Sequence, residues 1–301
     1  MPKQSFRLYI AILLLFVFNG LTLVSCKHES DKPRPSRETF KEQAPYVEEE
    51  PVNPPQTTSQ PLKYEYRYLD STDIPPVVIV IDDFGQIGGD LLQGYAELDE
   101  NITFAVLPDL PNTAKAAKLA NVYGHEVIIH IPMEAQDKSQ NPGKTYIKAG
   151  ADEKSIKNIL NGFIDQIPQA VGANNHMGSA ATADYEVMKS VLQTLDRNGL
   201  FFLDSKTSAA SQVANAARDL DTEYTARDIF LDVPDVSPAT LNSKLQQLHK
   251  YRGRVEPVII ISHCHNQAKL DAMRSFVAQL KALDIKLIPL SEAVGKFKLP
   301  V

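Results

Sequence analysis

The sequence predicts an α/β fold on a mostly parallel sheet, in the form of a distorted (β/α) barrel of about seven parallel strands. Three observations point there. From residue 77 onward, short β-branched runs alternate with amphipathic stretches of helical period, the pattern of repeated strand–helix units. The strand runs are apolar without alternation, as expected of strands covered on both faces. Several of them end in carboxylates or imidazoles, and parallel architectures collect reactive groups at the carboxyl ends of their strands. No Gly-rich phosphate loop follows the first strand, which argues against an open dinucleotide-binding sheet.

The first strand is Val77-Val78-Ile79-Val80-Ile81, followed by Asp82, Asp83, Phe84 and the turn-permitting Gly85. Further strands are expected at residues 102–107, 126–131, 200–203, 229–233, 258–262 and 286–290, with a weaker one at 170–173. A helix over 113–123 follows Pro-Asn-Thr, and one over 153–167 follows Asp152 as a cap. Residues 184–198 place Val187, Val191, Leu192 and Leu195 on one face. Ser237-Pro238 opens a helix to Tyr251, a cap followed by proline in the first turn. The helix over 267–283 carries Leu270, Met273, Val277 and Leu280 at three- and four-residue spacing.

The barrel is expected to occupy residues 73–301. Before it, residues 1–26 read as a secretory signal, with Lys3 and Arg7 ahead of an apolar run. Leu23-Val24-Ser25-Cys26 resembles a bacterial lipobox, which implies lipidation of Cys26 and a membrane anchor. An uncleaved transmembrane anchor is the alternative, and both put the domain outside the cytoplasm. Lys27 in place of aspartate favours the outer membrane of a Gram-negative envelope, facing the periplasm. Residues 27–72 read as a disordered Pro-rich tether with few apolar groups and the acidic run Glu48-Glu49-Glu50. Tyr64, Tyr66 and Tyr68 suggest a lead-in strand. A formal net charge of -6 and a pI near 5.7 argue against nucleic acid as a partner. The chain has two cysteines, so a lipidated Cys26 leaves Cys264 without a disulfide partner, and it reads as a small buried residue.

The chemistry is sought at the strand ends. Asp82 and Asp83 end the first strand, where two adjacent carboxylates repel each other unless a cation, a base or a helix start receives them. A simple helix cap is the bland alternative. His130 ends another strand with Glu134 four residues on, and Asn174-Asn175-His176 follows the weak strand. Asp204, Ser205 and Lys206 follow residues 200–203. Arg227 and Asp228 precede residues 229–231, with Asp232 after them, and His263-Cys264-His265 follows residues 258–262. Carboxylate with imidazole suits a divalent metal such as zinc, which activates water and polarises a carbonyl.

Several pieces in this order resemble the divergent polysaccharide deacetylases, relatives of the NodB-type carbohydrate esterases. They are Ile79 to Gly85, Gly124-His125-Glu126-Val127 through His130-Ile131-Pro132-Met133-Glu134, Asn174 to Ser179, Phe202-Leu203-Asp204-Ser205, Arg227 to Asp232, and Pro289-Leu290-Ser291-Glu292. The resemblance implies a NodB-like barrel and metal-dependent removal of acetyl groups from a polysaccharide. It implies Asp82 as general base, Asp83 and His130 as metal ligands, and His263 as general acid. The family's second metal histidine is replaced by Glu134. Its Arg-containing loop is replaced by the Asn-Asn-His stretch, which offers His176 as a third ligand. Glu134 is either a ligand or a support for His130. Asn174, Asn175, Asp204, Arg227 and Asp228 are candidate substrate-binding groups, with Asn175 a candidate oxyanion donor. Asp204 and Asp228 have a structural alternative as partners of Lys206 and Arg227. Two functions follow: an acetyl hydrolase of an envelope or environmental glycan, or an inactive module of the same fold that binds glycan or an envelope partner.

Overall fold

The computed structural model describes residues 73–99 and 101–294. The signal segment, Cys26, the Pro-rich tether and the suggested lead-in strand lie outside the described residues. Among those described, no helix is long and apolar enough to cross a membrane.

Eight strands form one all-parallel sheet. They are β1 (Val77–Phe84), β2 (Ile102–Val106), β3 (Val127–Met133), β4 (Ala170–Met177), β5 (Phe201–Asp204), β6 (Tyr224–Ala226), β7 (Ile229–Phe230) and β8 (Val258–His263). Their order is β6-β5-β4-β3-β2-β1-β8-β7. The two edge strands, β6 and β7, are separated in sequence only by Arg227 and Asp228. Three peptide steps reach at most about 11 Å, so the sheet has to curl until its edges nearly meet. One continuous run of chain thus lines both edges. Arg227 N–H donates to Asp204 O on one side, and Asp228 N–H to Ile259 O on the other.

Strand alternation sorts the side chains into two layers. Val77, Ile79 and Ile81 face outward onto a layer that includes α3 (Glu153–Gln166), α4 (Tyr185–Arg197) and α7 (Gln267–Ala282). Val78, Val80, Ile128, Leu203, Ile259 and Ile261 belong to a second apolar cluster. It lines the inside of the curl. Leu290, Ala293 and Val294 of α8 (Leu290–Val294) pack into the same cluster. The inner layer is therefore largely apolar and covered below by α8, and the carboxyl ends of the strands are left to carry polar groups.

Several sequence expectations are corrected. Residues 286–290 form no strand: Leu287 makes one isolated bridge to Val77, and the chain enters α8 at Leu290. The strand expected over 229–233 is only Ile229–Phe230, and β6 was not expected. The helix from Pro238 becomes a 3-10 turn at Leu248–Tyr251. The helices α1 (Gly89–Ala96) and α5 (Val213–Leu220) were not foreseen; together with α2 (Thr113–Val122) and α6 (Pro238–Gln247) they complete the α-helices among the described residues.

Candidate metal centre

Strand parity aims most of the site. Val78 and Val80 point inward, so Asp82 does too, directly above them. Ile128 carries His130 to the inner face of β3 in the same way, and Ile261 carries His263 on β8. Asp82 and His263 are register partners on adjacent strands. His130 pairs with Asn174, and Pro132 with His176.

Asp83 has the wrong parity and should face the helices. The backbone corrects this. Its φ is +71°, in the left-handed region, and the pairing of β1 with β2 shifts register between Ile81 and Phe84. A non-glycine residue held there costs on the order of 1 kcal/mol. The bulge brings two consecutive carboxylates to one mouth, which a regular strand cannot do.

Asp83, His130 and His176 each offer an atom within 4.8 Å of the others. His130 Nε2 lies 3.2 Å from Asp83 Oδ1, His176 Nδ1 lies 3.0 Å from the same oxygen, and the two nitrogens are 3.2 Å apart. Despite these short distances, Asp83 Oδ1 is buried and accepts no hydrogen bond of acceptable geometry. His130 Nδ1 lies 2.7 Å from the acceptor Asn174 Oδ1, so the ring hydrogen sits on Nδ1 and Nε2 keeps a lone pair. Burial holds the His130 pKa below its ordinary value, so the ring stays neutral. Two lone-pair acceptors therefore meet at one point with a third ring nitrogen beside them. Such a triangle suits a cation. Tetrahedral bonds of about 2.0–2.1 Å separate ligand atoms by about 3.3–3.4 Å, close to the observed edges. The residues present fit a divalent metal.

The adjacent carboxylates diverge. Burial, and then the charge of Asp83, push the Asp82 pKa well above the usual carboxylate range. Burial pushes Asp83 the same way, but contacts from His130, His176 and His265 overcome it and hold Asp83 far below that range. Asp82 Oδ1 accepts from Asn174 Nδ2 at 2.8 Å. One amide thus orients both His130 and Asp82.

On the other side, His263 Nδ1 lies 3.1 and 3.0 Å from the two oxygens of Asp232. Burial pushes Asp232 upward, yet His263 and then Lys269 bring it down to about 2. Asp232 is therefore ionised and fixes the His263 ring with its other nitrogen free. Neither the part played by Asp232 nor that of His265 is apparent from local sequence. Asp232 lies 31 residues from its histidine, and His265 is visible only as a neighbour of His263.

The remaining candidates are dispersed. Glu134 is outside the triangle: Lys138 Nζ sits 2.5 Å from one oxygen and Ala149 N–H donates to the other at 2.9 Å. Asn174 and Asn175 are 0% and 1% exposed, so neither presents a surface to a polymer. The amide of Asn175 donates to Met177 O and accepts from Ser205 N–H. Asp204 accepts from Lys206 N–H and Ser211 Oγ–H, so its Lys206 partner is backbone rather than ammonium. Asp228 lies at the amino end of β8, paired with Arg254 rather than Arg227. Arg227 stays at the mouth. It donates to Ser205 O and Lys206 O and covers the Phe230 ring, which stacks on His263.

A cavity of about 260 Å³ opens beside His176, lined by Gln86, Leu107, Leu110, Pro132 and Lys144 among others. A larger one, about 520 Å³, lies between Tyr224, Arg254 and Val294, and no histidine lines it.

Comparison with known proteins places the fold and the family. The family model described as divergent polysaccharide deacetylase matches residues 79–294. The uncharacterized protein YibQ of Escherichia coli strain K12 is 33% identical over 220 residues, covering 73% of this chain and 67% of that protein. An uncharacterized protein of Haemophilus influenzae is 32% identical over 158 residues, 52% of this chain and 55% of its own length. The crystal structure of uncharacterized protein ATU2773 from Agrobacterium tumefaciens C58 shares the fold. Its TM-score is 0.66 at 22% identity, covering 72% of this chain and 87% of that one. The chain belongs to the divergent polysaccharide deacetylase family.

Proposed function

We propose that this protein is a metal-dependent hydrolase that removes acetyl groups from a cell-envelope polysaccharide, with zinc as the metal. The observation that carries the reading is the convergence of Asp83, His130 and His176 between Asp82 on one side and the His263–Asp232 pair on the other. Asp83, His130 and His176 would hold a divalent cation, which would supply Lewis-acid polarisation of the acetyl carbonyl and make water more acidic. Asp82, raised in pKa and held by Asn174, takes the proton of the attacking water. His263, oriented by Asp232, gives a proton to the leaving sugar nitrogen or oxygen. The products are acetate and a free amine or hydroxyl, so protons balance over the cycle. The cavity beside His176 is of a size for part of one sugar ring, and Arg227 at the mouth is placed to meet polar groups of the chain. A lipid anchor at Cys26 would hold the domain in the periplasm on an outer membrane.

The second reading is an inactive glycan-binding module. Glu134, standing where the family's second metal histidine is expected, favours it; the imidazole that His176 brings to the cluster favours the enzyme. Acetate release from acetylated chito-oligosaccharides and peptidoglycan by the zinc-loaded protein tests the two. The enzyme reading expects release that disappears in Asp82→Asn, whereas an inert protein on both substrates supports the binding module.

A further inference from the structure

We infer that His265 and Lys269 are a positioning pair that restricts Asp83 to one oxygen for the cation and ties that carboxylate to the His263 arm. The inference rests on the metal site proposed above. The two oxygens of Asp83 have different surroundings. Oδ1 faces His130 and His176. Oδ2 lies 2.5 Å from Nε2 of His265, a contact across 182 residues of sequence. Nδ1 of the same imidazole lies 3.4 Å from Lys269 Nζ. An ammonium has hydrogens and no acceptor, so it favours the tautomer with a lone pair on Nδ1. The ring hydrogen then sits on Nε2 and is donated to Asp83 Oδ2. With Oδ2 taken by a donor, Oδ1 alone remains for a metal.

Lys269 serves the other arm as well. Its ammonium lies 2.6 Å from Asp232 Oδ2, and Asp232 is the carboxylate that holds His263. One lysine therefore touches the supports of both the metal ligand and the proton donor. Its place is set by the first turn of α7, where the capping side chain of Asn266 accepts from Lys269 N–H at 3.0 Å. His265 is a positioning residue and not a fourth ligand, because its nitrogen approaches the oxygen that faces away from the other two imidazoles.

The test measures zinc affinity of the purified full chain by competition with a chromophoric chelator, and counts imidazole ligands by X-ray absorption. His265→Ala should weaken zinc by roughly 10- to 100-fold, the usual effect of losing a hydrogen-bond partner of a ligand. His265→Gln should recover most of that loss, because an amide N–H can still donate to Oδ2. The imidazole count should be two in both the wild type and His265→Ala. Lys269→Met should weaken zinc less and also shift the pH profile of turnover, through Asp232. Wild-type affinity in His265→Ala overturns the inference. So does a count that falls from three to two in that variant, which would make His265 a direct ligand. His130→Ala separates this failure from that of the metal site itself. If His130→Ala also binds zinc normally, the site as a whole is wrong. If it loses zinc while His265→Ala does not, only the positioning role fails.

Discussion

The two ends of the barrel handle their carboxylates in opposite ways. At the amino end of β8, Asp228 receives both terminal nitrogens of Arg254 at 2.8 Å and the Ile259 N–H at 2.9 Å. Every lone pair it turns inward has a donor, and the group joins the edge run to β8. At the carboxyl end, Asp83 turns Oδ1 toward nitrogens that do not satisfy it, on a backbone at φ +71°. Asp82 beside it is buried with its pKa raised. The same residue type thus does structural work at one end. At the other end one oxygen of Asp83 is left without a donor, a place that a cation suits.

Mutations that exchange these two behaviours test the contrast. The largest effect belongs to Asp82→Asn, which should lower acetate release by roughly 10²- to 10⁴-fold, the range for losing a general base, while bound zinc stays at the wild-type level. Unchanged turnover would remove Asp82 from the chemistry. Next, Asp228→Ala should cost about 2 kcal/mol in denaturant unfolding, because Arg254 loses its two-pronged carboxylate partner and keeps the Glu256 and Pro257 carbonyls nearby, and should leave zinc affinity alone. A weakened zinc site with intact stability would reverse the assignment of the two ends.

A smaller effect has the opposite sign. In the metal-free protein Asp82 is protonated more readily when folded than when unfolded, because burial and Asp83 raise its pKa. Its contribution to stability is therefore full below about pH 4 and is lost as pH rises through the raised folded value. Asp82→Asn removes that loss. The metal-free variant should be more stable than wild type at pH 7, by on the order of 1 kcal/mol, and the two melting curves should converge below pH 4. A variant less stable at pH 7 would contradict the raised pKa. Smallest of all, Glu134→Gln should leave zinc affinity within about twofold, since its carboxylate is held by Lys138 and Ala149 N–H. A tenfold loss would bring Glu134 back toward the metal.

Most of the fold was legible because the signals are local. The apolar runs, the Asp152 and Ser237 caps and the alternation of period all act within a few residues, and the structure has them. The cluster of Asp83, His130 and His176 was legible for a related reason: each follows a strand, and parallel strands deliver their ends to one side. What escaped depends on distance or on exceptional backbone. The pairing of Asp232 with His263 and of His265 with Asp83 spans 31 and 182 residues. The turn of Asp83 onto the inner face needs a bulge that no residue type announces. Asn174 was read as a substrate contact, one of the polar groups in the Asn-Asn-His stretch after the weak strand. Strand parity instead buries it between Asp82 and His130, where its amide bonds to both. The expected strand at residues 286–290 failed because Leu290 was needed in α8, which plugs the base of the barrel.

The most direct test of the central claim is a zinc-soaked crystal with anomalous scattering measured at the zinc edge. The account predicts one strong peak at about 2.0–2.2 Å from Asp83 Oδ1, His130 Nε2 and His176 Nδ1, with Asp82 and His263 outside the ligand set. A peak bound through Glu134 or His265 in place of His176, or no peak at the mouth of the barrel, would contradict it.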